Sequence, residues 1–241
     1  MEYLRKSGFM MSIIVCFCAF AVVLGGCGQK KNEMTMATGT TVEKQGQAAV
    51  KSAVTEAAPV PSAAPITEER TYYDFEVEDL NGWEIPQWAL GKESYVAKNA
   101  EFSQEVASSG KGSMKVDVDF PGGLWTAGLV EIQQYLDMSN YRVVRADIYL
   151  PADAPIGLKA KLILTVGDNW KFVEMSRSVP LLPGEWSTIT ANIEPGSYDW
   201  KRIVPDEEFA QDVRKIAIRI ESNRKPKYAG TIFIDNVRVG K

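Results

Sequence analysis

The stretch Ser113-Met114-Lys115-Val116-Asp117-Val118-Asp119-Phe120 alternates large apolar and polar residues with period two. An extended chain sends successive side chains to opposite faces, so Met114, Val116, Val118 and Phe120 share one face and the charges share the other. That is a strand covering a core on one side. Similar runs occupy 143–150, 159–166, 187–193, 215–221 and 231–239. Between them stand Pro121-Gly122-Gly123, Pro151 to Gly157, Pro183-Gly184 and Pro195-Gly196, where Pro fixes φ and Gly allows φ above zero. Eight to ten short strands over about 170 residues predict an all-β fold, an antiparallel β-sandwich of jelly-roll type spanning residues 71–241. The only helical hint is 206–212, and no internal repeat is visible.

The 241-residue chain is 45% apolar and 24% charged, enough for one good-sized folded unit. Its net charge of −4 argues against a nucleic-acid partner, because phosphate binding needs a local excess of Lys and Arg. Histidine is absent from the chain, which excludes Ser-His-Asp and Cys-His catalysis and every imidazole metal site. All three cysteines, Cys16, Cys18 and Cys27, precede the folded part, which therefore forms neither a disulfide nor a thiolate metal site.

Residues 1–26 read as an export signal: Arg5 and Lys6, then an uncharged run from Phe9 to Leu24, then Leu24-Gly25-Gly26-Cys27. The sequence LGGC resembles a bacterial lipoprotein processing site. That resemblance implies that Cys27 is diacylated on sulfur and becomes the N-terminus, a lipid anchor on the bacterial cell membrane. A plain transmembrane anchor is the alternative, but its apolar run falls short of the ~20 residues that span a bilayer. Both readings put the body of the protein outside the cytoplasm. Residues 27–70 contain no aromatic residue and finish in Ala57-Ala58-Pro59-Val60-Pro61-Ser62-Ala63-Ala64-Pro65, so we read them as a disordered tether. An amphipathic helix over 41–54 is the rival reading there.

Six tryptophans all follow residue 70, and Trp83, Trp88, Trp125 and Trp170 sit beside turn signals: Asn81-Gly82, Pro86-Gln87, Gly122-Gly123-Leu124 and Gly167-Asp168-Asn169. An indole offers a flat face on which the C–H groups of a pyranose stack, while polar neighbours take its hydroxyls. Loop tryptophans among Gln, Asn, Asp and Lys are what a sugar platform requires. Trp186, at the head of a strand, reads instead as core.

The stretch Arg145-Ala146-Asp147-Ile148-Tyr149-Leu150-Pro151, then Gly157-Leu158-Lys159, Asn169-Trp170 and the closing run Gly230 to Val239, GTIFIDNVRV, resembles the family 27 carbohydrate-binding modules that accompany bacterial β-mannanases. The likeness covers most of residues 72–239, with a gap over 181–211. It implies a galactose-binding-like jelly roll whose tryptophans stack on successive sugars of a β-1,4-mannan. Trp83, Trp125 and Trp170 match the three stacking positions in order, and Trp88 matches a further family tryptophan five residues beyond the first. The resemblance also implies a structural calcium ion. Asp74 and Glu76 point to one side of a strand, Asp235 lies on the last strand, and the loop Ser109-Gly110-Lys111-Gly112 could supply carbonyls to complete six to eight oxygens.

The function expected from these residues is non-catalytic binding of a β-1,4-linked polysaccharide, mannan before glucan or xylan, by a monomeric cell-surface lipoprotein. Two alternatives stand beside it. A glycoside hydrolase would need paired carboxylates, for which Glu131, Asp147 and Glu174 are the candidates in strand-like runs. A structural or protein-binding lipoprotein would bury its tryptophans.

Overall fold

The protein, seen in a computed structural model, is described over residues 65–224 and 226–241. The export signal, Cys27 and the tether up to residue 64 lie outside the described residues. In chain order the elements are β1 (Glu69–Tyr73), α1 (Gln87–Leu90), β2 (Ala97–Ser103), β3 (Ser113–Pro121), β4 (Trp125–Leu136) and β5 (Val143–Leu150). They continue with β6 (Leu158–Val166), β7 (Lys171–Glu174), β8 (Val179–Pro180), β9 (Glu185–Asn192), β10 (Val213–Asn223) and β11 (Lys227–Gly240).

These strands form two sheets, and every pairing between named strands is antiparallel. One sheet runs β2-β3-β11-β5-β9, with β1 pairing β11; the other runs β4-β10-β6-β7, with β8 pairing β6. Strand β11 holds the first sheet together. Its first half pairs β3 and its second half pairs β1, both on the flank opposite β5. Ordered pairing starts ahead of the expected boundary at Thr71: the Thr67 N–H donates to Lys241 O at 3.0 Å, and β1 begins at Glu69.

The apolar faces of the two sheets meet in one core. Met114, Val116, Val118 and Phe120, the alternating set of β3, are all buried, and Val144, Ala146, Ile148 and Leu150 of β5 lie beside them. Facing them from the second sheet are Val130 and Ile132 of β4, Leu158 to Leu164 on alternate positions of β6, and Ile216, Ile218 and Ile220 of β10. Burying a side chain of this size contributes about 1.5–3 kcal/mol, which is what holds the layers face to face. The turn between β3 and β4 uses Gly122 at φ +75°, where a Cβ would stand 3.1 Å from the Lys227 backbone.

Two local expectations change. Residues 206–212 make no helix: Phe209 N–H donates to Asp206 O and Gln211 N–H to Glu208 O, which are single turns, while Asp206 spends its carboxylate on the Glu208 N–H. The one α-helix among the described residues is instead α1, four residues opened by Pro86.

Candidate functional site

Antiparallel register decides which side chains share the outer face of the five-stranded sheet. Trp125, Ala127, Leu129, Glu131, Gln133 and Tyr135 alternate outward along β4. Across β10, β6 and β7 the rows read Ala127–Glu221–Lys159, Leu129–Arg219–Lys161, Glu131–Ala217–Ile163–Glu174 and Gln133–Lys215–Thr165–Phe172. Leu129, Ala217 and Ile163 form a small buried apolar strip, with Tyr95 packed on it. Long charged side chains flank that strip and lay their stems over it.

The charges on this face are paired with one another. Lys215 Nζ meets Glu131 Oε1 at 2.6 Å, Arg219 Nη2 meets Glu174 Oε2 at 2.5 Å and Glu221 Oε2 at 3.3 Å, and Lys161 Nζ lies 3.9 Å from Glu221. Lys201 adds a second cation to Glu174 at 2.6 Å, and the Ser178 hydroxyl donates to Glu221. Burial pushes the Glu174 carboxyl up, but the hydrogen bond from Lys201 and the adjacent Arg219 outweigh it and hold the group below the usual carboxylate range.

Aromatic groups stand at both ends. At one end α1 and the segments on either side of it lie along the free edge of β4, fixed by bridges from Glu84, before the helix, to Glu131 and from Tyr95, after it, to Ala127. There Trp88 meets Tyr95 edge-on at 4.9 Å, Tyr95 meets Trp125 edge-on at 6.4 Å, and the Arg219 guanidinium lies 5.7 Å from the centre of the Trp125 ring. At the other end Trp170, in the β6–β7 turn, meets Tyr135 edge-on at 6.3 Å, with Arg214 over both rings. Ten residues of β4 separate Trp125 from Tyr135, a span of about 33 Å in an extended strand. Trp88, Trp125 and Trp170 keep 45%, 37% and 41% of their surface open.

Trp83 is not part of this face. It is 2% exposed, in the core, with the Tyr73 ring edge-on at 5.6 Å and Phe75 at 6.4 Å. The turn at Asn81-Gly82 that flagged it as a loop residue instead directs the indole inward, beneath β1. The third exposed indole is Trp88. Trp186 also departs from expectation: it is half-buried on the outer face of the six-stranded sheet, 5.5 Å from Tyr149. Sequence reading overlooked Tyr95, Tyr135, Arg214 and Arg219.

Of the carboxylates considered for catalysis, Asp147 belongs to the other sheet, where it accepts bonds from Ser108, Thr188, Asn236 and Arg238. Glu131 and Glu174 share a row but stand three strand spacings apart, about 14 Å between backbones. Lys215 holds Glu131, and Arg219 and Lys201 hold Glu174.

The residues considered for calcium lie at another corner. Asp235 is fully buried and accepts the N–H groups of Ser108 at 2.8 Å, Ser109 at 3.0 Å and Asn236 at 2.6 Å. Glu76 accepts Lys111 and Gly112 N–H at 2.8 and 3.0 Å, so one loop serves both carboxylates. Asp74 is exposed and accepts only the Glu76 N–H, at 3.4 Å. No three acidic, His or Cys side chains converge among the described residues, so a cation at this corner would draw most of its oxygens from backbone carbonyls.

No protein-family profile and no curated protein sequence matches the chain. Solved structures do. A family 27 carbohydrate-binding module of Caldicellulosiruptor saccharolyticus, in complex with mannohexaose, superposes with a TM-score of 0.51 at 19% identity, covering 72% of this chain and 97% of that one. A family 28 carbohydrate-binding module specific for non-crystalline cellulose gives a TM-score of 0.52 at 17% identity, covering 73% of this chain and 96% of that one. The fold is the jelly-roll β-sandwich of these modules.

Proposed function

We propose that this domain binds a β-1,4-linked polysaccharide, mannan in the first place, without cleaving it. The observation that carries this reading is the outer face itself, where Trp88, Trp125 and Trp170 lie open at the two ends of one sheet above paired polar groups. Indoles held edge-on by tyrosines present fixed faces to the C–H side of sugar rings, and the exposed Gln133 between them offers a donor and an acceptor to hydroxyls. The family 27 module with bound mannohexaose supports the choice of mannan. Binding without cleavage is the reading we favour because the carboxylates of the face are engaged by cations, Glu131 by Lys215, Glu174 by Arg219 and Lys201, and Glu221 by Arg219.

Titration calorimetry with mannohexaose, cellohexaose and xylohexaose tests the reading. Micromolar binding of mannohexaose is expected, because three stacked rings act along one ligand. Binding of none of the three sugars sinks it, and reducing sugar released from mannan reopens catalysis.

Two further parts belong to the same proposal. Cys27 carries a lipid that holds a monomeric protein on the outer side of the cell membrane; loss of labelled palmitate in Cys27→Ser tests it. Calcium occupies the corner of Glu76 and Asp235, a reading supported by the burial of the Asp235 carboxylate. A melting curve identical with calcium and with a chelator excludes the ion.

A further inference from the structure

Strand β10 is irregular at one place. Its register against both neighbours shifts between Val213 and Lys215: Val213 pairs Leu136 and Val166, and Lys215 already pairs Gln133 and Thr165. Such a bulge inserts a residue whose side chain is aimed out of the regular alternation. Against β6 that residue is Arg214; against β4 the extra residue lies on β4, where Gln134 and Tyr135 stand opposite Arg214. Its Nε meets both oxygens of Asp212 at 3.1 and 3.0 Å, its Nη2 meets Asp212 again at 2.7 Å and also Asp168, and its Nη1 meets the Asp168 carbonyl at 3.4 Å.

This doubly held guanidinium lies 5.3 Å from the centre of Trp170 and 5.4 Å from that of Tyr135. The β6–β7 turn that it reaches is tight. Gly167 N–H donates to Asp212 O at 2.9 Å, Trp170 N–H donates to Gly167 O at 3.0 Å, and Trp170 itself sits at φ +53°, an unusual conformation for a bulky residue. Arg214 therefore holds the turn through Asp168 and the ring through its π face at once. One face of the indole is taken by the cation, and the 41% of surface still open is what a ligand can use.

Resting on the sugar-binding reading above, we propose that Arg214 is a positioning residue: it fixes the Trp170 indole in the orientation on which a sugar ring stacks, without touching the sugar. The planar fork matters more than the charge, so lysine does not replace it. Asp168 and Asp212 are exposed enough to be solvated once the cation is removed, so variants of Arg214 are expected to fold.

The test compares wild type, Arg214→Gln, Arg214→Lys, Trp170→Ala and the double variant Arg214→Gln/Trp170→Ala, each titrated with mannohexaose and melted as a control of folding. Arg214→Gln and Arg214→Lys should each weaken binding about fivefold to tenfold, the fold-change that loss of one cation–π and fork contact converts to. In the Trp170→Ala background Arg214→Gln should cost nothing more, because the ring through which it acts is gone. A ligand-free readout runs beside it: with fluorotryptophan in all six positions, the 19F resonance assigned to Trp170 should broaden or move in Arg214→Gln while the other five stay. Wild type that binds, with Arg214→Gln binding equally well, overturns the role of Arg214 alone; so do losses that multiply in the double variant, or an unmoved fluorine signal. Wild type that binds none of the hexasaccharides overturns the sugar reading, and this role with it.

Discussion

Trp83 and Trp88 stand five residues apart and have opposite roles. Trp83 fills the core beside Tyr73 and Phe75, so Trp83→Ala should cost ~3–5 kcal/mol by denaturant titration, whereas Trp88→Ala, Trp125→Ala or Trp170→Ala should leave the melting curve nearly unchanged. Each of those three should weaken mannohexaose binding about tenfold, the loss of one stacked ring. The Trp83 Nε1 is buried with no hydrogen-bond partner among the described residues, so Trp83→Phe should be much milder than Trp83→Ala. Tyr73 offers a pH readout. Burial, with a smaller push from Tyr72, raises its phenol to about 12. The folded state then holds a proton that the unfolded chain releases near pH 10, so stability present below pH ~10 falls as pH rises toward 12. Tyr73→Phe should flatten the part of that alkaline decline that Tyr73 contributes.

Strand β3 was readable because its polar positions are solvated and its apolar ones face the core. Strand β4 was not, although it carries the candidate face. Its outward Leu129 is buried under Tyr95 and its inward positions include Thr126 and Gly128, so neither face has a uniform character. Gly128 is there for a packing reason: a Cβ on it would come within 3.1 Å of Val118 Cγ1 on β3. Gly128→Val should therefore destabilise by about 1–3 kcal/mol in urea, as overpacking does, and Val118→Ala should relieve much of that cost. Turn signals flagged Trp88, Trp125 and Trp170, which are open, but equally Trp83, which is core, because a turn does not say to which side its indole points. The partners Arg214 and Arg219 were not flagged, since a bulge and a cross-strand neighbour leave no mark on local periodicity.

Taken as a whole, the molecule sets most cations of the face beside anions, and the ligand proposed for it is uncharged. Binding should accordingly vary less than about twofold between ~50 mM and ~500 mM salt, since paired charges at a few ångströms are poorly screened and long-range steering is absent. Acid acts differently. The lowered Glu174 group contributes stability that is present above its unfolded value, near pH 4, and is lost as pH falls through the folded one. Glu174→Gln should thus remove part of the acid sensitivity seen in melting scans below pH ~4, at a lower starting stability.

The pairing of Thr67 with Lys241, and of Lys241 N–H with Glu68 O at 2.9 Å, places both ends of the described domain in the six-stranded layer. The open indoles, Trp88, Trp125 and Trp170, lie at the other layer. A biosensor chip, a chromatography bead or a fused fluorescent reporter attached at either end would thus leave the exposed indoles unobstructed. Material immobilised through Lys241 should retain the stoichiometry for a long polymer that the free protein shows.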